Sequence, residues 1–361
     1  MRAAIGSWTA WGGMAAIVGP LAGGWIVDAL SWRWIFALNV PLVIATILLV
    51  LAVVPRTGTI AGRRVDYVGA GLGALGLAGI VFALIEQPHY GWRSPVIAIP
   101  LVAGLISLGM FLAYERRTPQ PMLKLDLFSR RNFAVGNFET LAMYAGIAIM
   151  FFYLTIYLQE VAGYSALESG LATVPVTIVM FTLSRRFGAL ADRYGPRLFM
   201  GAGPLIAAAG IFLLARLGMN IDYLPDLLPA MLIFALGLTL TVAPLTATIL
   251  ADADQGDAGI ASAVNNAVAR VAGLIGISVV GIIVAGFMAG DTFAANAESV
   301  DAFQHVMMIC GGLLAAAGVI GSIGIANPGR HVKAEECPGG QLVGAPVHAA
   351  GAREDAVAPT A

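Results

Sequence analysis

The amino-acid sequence predicts an all-α polytopic membrane protein with about ten transmembrane helices. Of its 361 residues, 59% are apolar and only 11% are charged, whereas soluble domains average about 45–50% apolar and about 25% charged residues. The apolar residues stand in long uninterrupted runs, which favours membrane helices over the alternating strands of a membrane barrel. This composition excludes a disordered chain, a nucleic-acid-binding domain and a secreted disulfide scaffold.

Ten apolar runs are long enough to cross a hydrocarbon core of about 30 Å, which takes about 20 helical residues. They cover residues 4–26, 34–54, 65–86, 95–114, 133–158, 167–184, 198–218, 227–249, 259–288 and 303–326. The Ala/Gly-rich residues 327–361 contain four prolines and are predicted to form a disordered tail.

The basic residues predict the orientation of these spans. Sixteen of them lie at the N-terminus, in loops after even-numbered spans or in the tail, and only three lie in the opposite loops. Because lysine and arginine mark the cytoplasmic side, both termini are expected in the cytoplasm of a protein of the cell membrane. Arg270 lies within the ninth span.

The first motif lies at the end of the first span and continues into the second. Residues Gly19, Pro20, Gly23 and Gly24 end the first span, where a proline kinks a helix and glycines allow a neighbouring helix to approach closely. Generic helix packing is the alternative interpretation. The tryptophan-rich residues 31–41 then open the second span.

A second motif joins spans six and seven. It contains Gly188, Asp192, Arg193, Gly195 and Arg197, and the pair Gly195-Pro196 predicts a tight turn. Asp192, near a helix end, can pair with basic residues across the loop and form a latch that differs between conformations. The alternative is a solvated cytoplasmic loop whose basic residues only reflect the positive-inside rule. A third motif, residues 259–276, opens the ninth span and contains Asn265, Asn266 and Arg270.

Taken together, the three motifs resemble the major facilitator superfamily, in its fourteen-helix drug:proton antiporter branch (QacA/EmrB-like). The first resembles the antiporter motif, although Ala15 stands where the family has glycine; the second resembles the cytoplasmic loop motif and the third the penultimate helix. The resemblance implies two six-helix bundles flanking a central pathway. It assigns residues 1–56 to the end of the N-terminal bundle, 57–118 to two linking helices, 119–326 to the C-terminal bundle and 327–361 to the tail.

On this assignment the chain lacks the first four helices of the family. A mis-called start, a truncated gene and a fragment are the explanations that stay open. The resemblance implies a proton-coupled secondary transporter that exports small amphiphilic or cationic compounds, not an enzyme. Its partners would be the lipid bilayer, the substrate and protons, with the proton gradient as energy source and no cofactor. The alternative is a non-transporting fragment, or a subunit whose partner chain supplies the missing helices.

Two charged residues inside the predicted spans are candidates for proton coupling. Glu139 lies about six residues into the fifth span and Arg270 about eleven residues into the ninth. Intramembrane charges are costly and usually functional. An interfacial Glu139 held by Asn137 or a loop arginine, and an Arg270 that reaches the cytoplasmic surface, are the alternatives.

Aromatic and amide side chains supply the candidates for a substrate cavity. Tyr144 and Phe151 could stack on cationic or aromatic drugs, and Asn265 and Asn266 add polar groups. An aromatic belt at the membrane interface is the alternative for the tyrosines. The four histidines and two cysteines show no ligand spacing, so no metal site is predicted.

Overall fold

The structure, a computed structural model, describes residues 19, 22–53, 66–252, 257–287 and 293–327. Within these ranges the chain forms helices and connecting turns and no strand. Nine of the helices in these ranges are long and apolar enough to cross a membrane, which confirms a polytopic all-α protein. Most of the first predicted span and nearly all of the predicted tail lie outside the described residues.

The helices follow the predicted order closely. Residues 22–29 belong to the first helix, α1. The others are α2 (Arg33–Val53), α3 (Tyr67–Tyr90), α4 (Pro95–Glu115), α5 (Arg131–Ile156), α6 (Ala166–Tyr194), α7 (Pro196–Leu214), α8 (Leu228–Ala251), α9 (Ala258–Phe287) and α10 (Ala297–Gly324). Two short π-helical turns flank these helices: Tyr157–Val161 extends α5 and Tyr223–Leu227 precedes α8.

Helix α6 runs ten residues beyond its predicted end. It begins with a capping box, in which Ser165 and Glu168 satisfy each other's backbone N–H groups. It ends only at Gly195, whose φ of +92° is open to glycine but disfavoured for other residues. Pro196 then takes the first position of α7, where its missing N–H costs nothing. The predicted tight turn is therefore confirmed, and it is a single residue long.

Helices α5 to α10 pack into one bundle, in which α7 contacts α8 and α10, α5 contacts α9 and α10, and α6 contacts α8. Glycines set the closest approach: a Cβ built on Gly210 would lie 2.5 Å from the backbone nitrogen of Phe234. Lipid provides no hydrophobic driving force between helices, so membrane helices associate through close packing. Small residues permit that packing because the two backbones can approach each other. Helices α3 and α4 form a pair, in which Gly79 meets the backbone of Pro100 and Gly104, and α3 also contacts α9.

Two aspartates cap helices to which they do not belong. The carboxylate of Asp28 in α1 accepts hydrogen bonds from the backbone nitrogens of Ala166 and Leu167, at 3.1 and 2.8 Å. Asp252, at the end of α8, accepts one from Phe133 at 3.0 Å. The first N–H groups of a helix have no partner within it, so these carboxylates tie α1 to α6 and α8 to α5.

Candidate functional site: a polar cavity between α5, α8 and α9

A cavity of about 630 Å³ lies between α5, α8 and α9. Ligand cavities commonly measure about 300–1,000 Å³ and combine apolar walls with a few polar groups. Its apolar wall includes Ile147, Leu250, Leu274 and Ile277. The polar lining residues are Tyr144, Thr246, Ser262, Asn265, Asn266 and Arg270. Three of the four predicted cavity residues, and Arg270, therefore share one site.

The helical repeat explains why these residues meet. Residues three and four positions apart share a face of an α-helix, and Ser262, Asn265, Asn266, Ala269 and Arg270 follow that spacing in α9. Arg270 is the thirteenth of 30 residues in α9, so it lies about 18 Å along the helix from its first residue. The Cα of Arg270 therefore lies well inside the helix, and the residue is exposed at the cavity wall.

A hydrogen-bond network fixes the floor of the cavity. The amide nitrogen of Asn265 donates to the hydroxyl of Thr140 at 2.8 Å and to the amide oxygen of Asn137 at 3.3 Å, both in α5. Asn137 in turn donates to the carbonyl of Phe133, one turn earlier. Because buried polar groups are satisfied mainly by such pairing, the network holds α9 against α5 in one register. Close packing of Gly276 against Ala145 supports the same register.

Glu139 lies on the other side of α5 and does not line this cavity. Its side chain is fully buried, and neither carboxyl oxygen has a hydrogen-bond partner among the described residues. It faces α7 and α10: a Cβ built on Gly321 would lie 2.9 Å from the carboxyl oxygen of Glu139 and would also meet the carbonyl of Met200. The proposed tie to Asn137 is absent, since Asn137 contacts Phe133 and Asn265 instead.

Comparison with known proteins identifies the family of this bundle. The sequence profile of the Major Facilitator Superfamily matches residues 2–277, which is more than half of the chain. The chain belongs to the Major Facilitator Superfamily. It is 33% identical over 311 residues to the puromycin resistance protein pur8 of Streptomyces alboniger, a match that covers 84% of this chain and 61% of the relative.

Other relatives in the superfamily carry names of the same kind. A multidrug resistance protein B homolog of Mycobacterium tuberculosis is 31% identical over 236 residues, covering 64% of this chain and 44% of the relative. The cephamycin export protein CmcT of Amycolatopsis lactamdurans is 31% identical over 265 residues, covering 72% and 54%. The chain thus spans about half the length of the curated relatives it matches.

The loop motif of this superfamily member lies mainly on a helix. Gly188, Asp192 and Arg193 belong to the last turns of α6. Arg197, in the first turn of α7, donates to the carbonyl of Ser322 in α10 at 2.5 Å. Asp192 makes no ion pair with any residue that the structure describes. The latch function of the pair Asp192–Arg193 stays a prediction.

The remaining predicted site residues have other surroundings. Phe151 lies outside the cavity, where its ring packs edge-on against Phe234 at 5.9 Å. In the antiporter motif, Gly24 is the residue with a close contact: a Cβ there would lie 2.7 Å from the Cα of Leu167 in α6. Gly19 and Gly23 have open space around them, and Pro20 lies outside the described residues.

Sequence reasoning missed Thr140, Ser262 and Thr246 as parts of the site. The signal for Thr140 was present, because Asn137, Thr140 and Tyr144 recur at helical spacing on one face of α5. The same count places Glu139 about 200° around the helix from Asn137. Thr246 comes from α8, and no pattern within a single helix predicts that α8 reaches this cavity.

Proposed function

We propose that the protein is a proton-coupled secondary transporter that exports small amphiphilic or cationic compounds, with the cavity between α5, α8 and α9 as part of its substrate pathway. The observation that carries the proposal is this cavity, which extends from the last turns of α8 to the middle of α5 and α9 in a member of a transporter family. Substrate sites of such transporters lie near the bilayer midplane. Relatives named for antibiotic resistance and export support the direction of transport.

Glu139 is the proposed proton-binding group. It is an ionisable side chain held inside a span, away from water and from any described counter-ion, and such residues usually mark proton or ion pathways. Since it faces α7 and α10 and not the cavity, a change in its protonation would act by repacking those helices. Substrate and proton would then occupy separate places in the bundle and compete through its conformation.

The orientation follows the charge asymmetry of the sequence. With both termini cytoplasmic, the turn at Gly195 and the cap formed by Asp252 on α5 lie on the cytoplasmic side. The contact of Asp28 with α6 lies on the outer side. The outer contact would then close the pathway when the cytoplasmic side is open. We propose this arrangement because alternating access moves one helix bundle against another.

The test of coupling is Glu139→Gln in membrane vesicles with an imposed pH gradient. This change keeps the shape of the side chain and removes its titratable carboxyl group, so gradient-driven accumulation of substrate should fall at least tenfold. Equilibrium substrate binding should stay within about twofold, which shows that the variant is folded. Glu160→Gln, at the exposed outer end of the same span, is the matched control. Gradient dependence that is unchanged in Glu139→Gln would exclude this residue from coupling.

A second candidate function is that of a subunit that works only with other membrane helices. The observation in its favour is α2, a span in which none of the 21 residues is buried. A helix apolar on all sides is expected to be covered by lipid or by other helices. The mass of the complex isolated from membranes in nanodiscs distinguishes a subunit from a transporter that works alone. Stable association with a different membrane protein would support the subunit, and transport by the purified chain would exclude it.

A further inference from the structure

We infer that the cavity between α5, α8 and α9 selects amphiphiles that carry an anionic group, and that Arg270 is the residue that binds this group. The inference narrows the substrate class of the proposed transporter and therefore rests on that function. It departs from the expectation of cationic substrates that the family resemblance gave.

The charge of the cavity lining is the first argument. Arg270 is the one charged residue among the lining residues, and the described residues place no carboxylate on the wall. Arg270 is exposed at the cavity wall, so an anion that enters the cavity can reach its guanidinium. A bound anion would supply the missing partner, because Arg270 makes no ion pair within the described parts of the chain.

The hydrogen-bonding capacity of the lining is the second argument. The amide nitrogen of Asn265 donates to Thr140 and Asn137, and that of Asn266 donates once, to the carbonyl of Ser262. The Arg270 guanidinium and the Tyr144 hydroxyl, in contrast, make no hydrogen bond to any described residue. A guanidinium offers up to five donors in a planar fork, which matches a carboxylate through two parallel bonds. The open groups include the donors of Arg270 and Tyr144 and the amide oxygens of Asn265 and Asn266, and the guanidinium is the charged group among them.

The acidic residues that the structure describes near the cavity do not offset this charge. Glu139 points to the opposite side of α5, toward Gly321. Asp252 is occupied as the cap of α5. Asp257, just before α9, is paired with Lys124 at 2.5 Å. Sites for lipophilic cations commonly use a carboxylate or an aromatic cage, and among the described residues Tyr144 is the one aromatic side chain on this wall.

The apolar wall of the cavity indicates that the rest of the ligand is apolar. Ile147, Leu250, Leu274 and Ile277 face the same space as Arg270. A ligand would place an apolar ring system against them while its anionic end reaches the guanidinium. The volume of about 630 Å³ accommodates a compound of two to four fused rings.

The experiment compares three probes that differ only in charge. They are 9-anthracenecarboxylate, neutral 9-anthracenemethanol and cationic 9-(aminomethyl)anthracene, and their binding to the whole chain in nanodiscs is measured by anthracene fluorescence anisotropy. We expect the anion to bind at least tenfold more tightly than the cation. This comparison needs no variant. Equal affinities, or tighter binding of the cation, would overturn the inference.

Variants then test whether Arg270 is responsible. Arg270→Gln should weaken binding of the carboxylate about tenfold or more, the usual loss for a hydrogen bond to a charged group. It should leave the neutral probe within about twofold, which reports that the cavity is intact. Arg270→Lys should retain most of the affinity and Arg270→Glu should reverse the order of anion and cation. Arg117→Gln, an exposed position after α4, removes the same charge outside the cavity and should change nothing.

Failure of this inference and failure of the proposed function give different results. If the cationic probe is bound and moved across vesicle membranes regardless of residue 270, the protein is a transporter and the anionic selectivity is wrong. If the carboxylate binds through Arg270 but is never moved, the selectivity holds and the transport function is wrong. Loss of carboxylate binding in Arg117→Gln to the same extent as in Arg270→Gln would also overturn the assignment.

Discussion

Replacing Asp28 by alanine should release the N-terminus of α6 from α1. The Asp28 carboxylate accepts two hydrogen bonds, from the nitrogens of Ala166 and Leu167. Hydrogen bonds to charged groups contribute about 1.5–3 kcal/mol each, and the lower value applies because this contact is exposed. A loss of about 1.4 kcal/mol per bond changes an opening equilibrium about tenfold.

Amide hydrogen exchange measures this opening directly. In Asp28→Ala, the amides of Ala166 and Leu167 should exchange about tenfold faster than in the unmodified protein, as read by mass spectrometry with single-residue fragmentation in nanodiscs. Gly24→Ala should act in the same direction without a change of charge, because its new Cβ would lie 2.7 Å from the Cα of Leu167.

The matched control is Ser165→Ala. Its hydroxyl accepts from the amide of Glu168 at 3.2 Å, so this variant should accelerate exchange at Glu168 while Ala166 and Leu167 keep their protection by Asp28. The reasoning is refuted if Asp28→Ala leaves the two amides at their original rates. It is also refuted if all amides of α6 accelerate together, since that would indicate general unfolding.

Two further substitutions test packing and the loop motif. Gly237→Ala should lower the thermal midpoint in detergent, at a cost of about 1–3 kcal/mol for overpacking, because its Cβ would overlap the backbone of Ala207; Gly109→Ala, with open space around it, should not. Asp192→Asn should reduce transport several-fold while equilibrium substrate binding stays within about twofold. The control Asp301→Asn, near the N-terminus of α10, should leave transport and binding unchanged. Binding that falls in parallel with transport would exclude a latch.

The order and extent of the spans could be predicted because apolar runs and breakers are local properties. Arg185 and Arg186 suggested the end of α6, yet two charges do not stop a helix, and it continues to the first true breaker at Gly195. Helix α10 likewise begins earlier than predicted, because the Asn296 side chain caps it by accepting from Ser299. The predicted spans were thus too short where charged residues lie near a helix end.

The candidate site could be predicted in part. Tyr144, Asn265 and Asn266 share a cavity because each lies on the polar face of its own helix. Phe151 lies among the core residues beside Phe234, since aromatic character alone does not say which face is buried. The caps formed by Asp28 and Asp252 join helices distant in sequence. Such contacts depend on tertiary packing, for which a single sequence carries no local signal.

The most direct test of the central claim is to fill the cavity and follow transport. Ala269 lines the cavity, and Ala269→Trp would occupy part of its volume; Val279→Trp, exposed on another face of α9, is the control. In inside-out vesicles acidified within, we expect gradient-driven accumulation of 9-anthracenecarboxylate by the unmodified protein and by Val279→Trp, and at least a tenfold loss in Ala269→Trp. Equal accumulation by all three would show that this cavity is not the pathway, and no accumulation by the unmodified protein would contradict export of this compound.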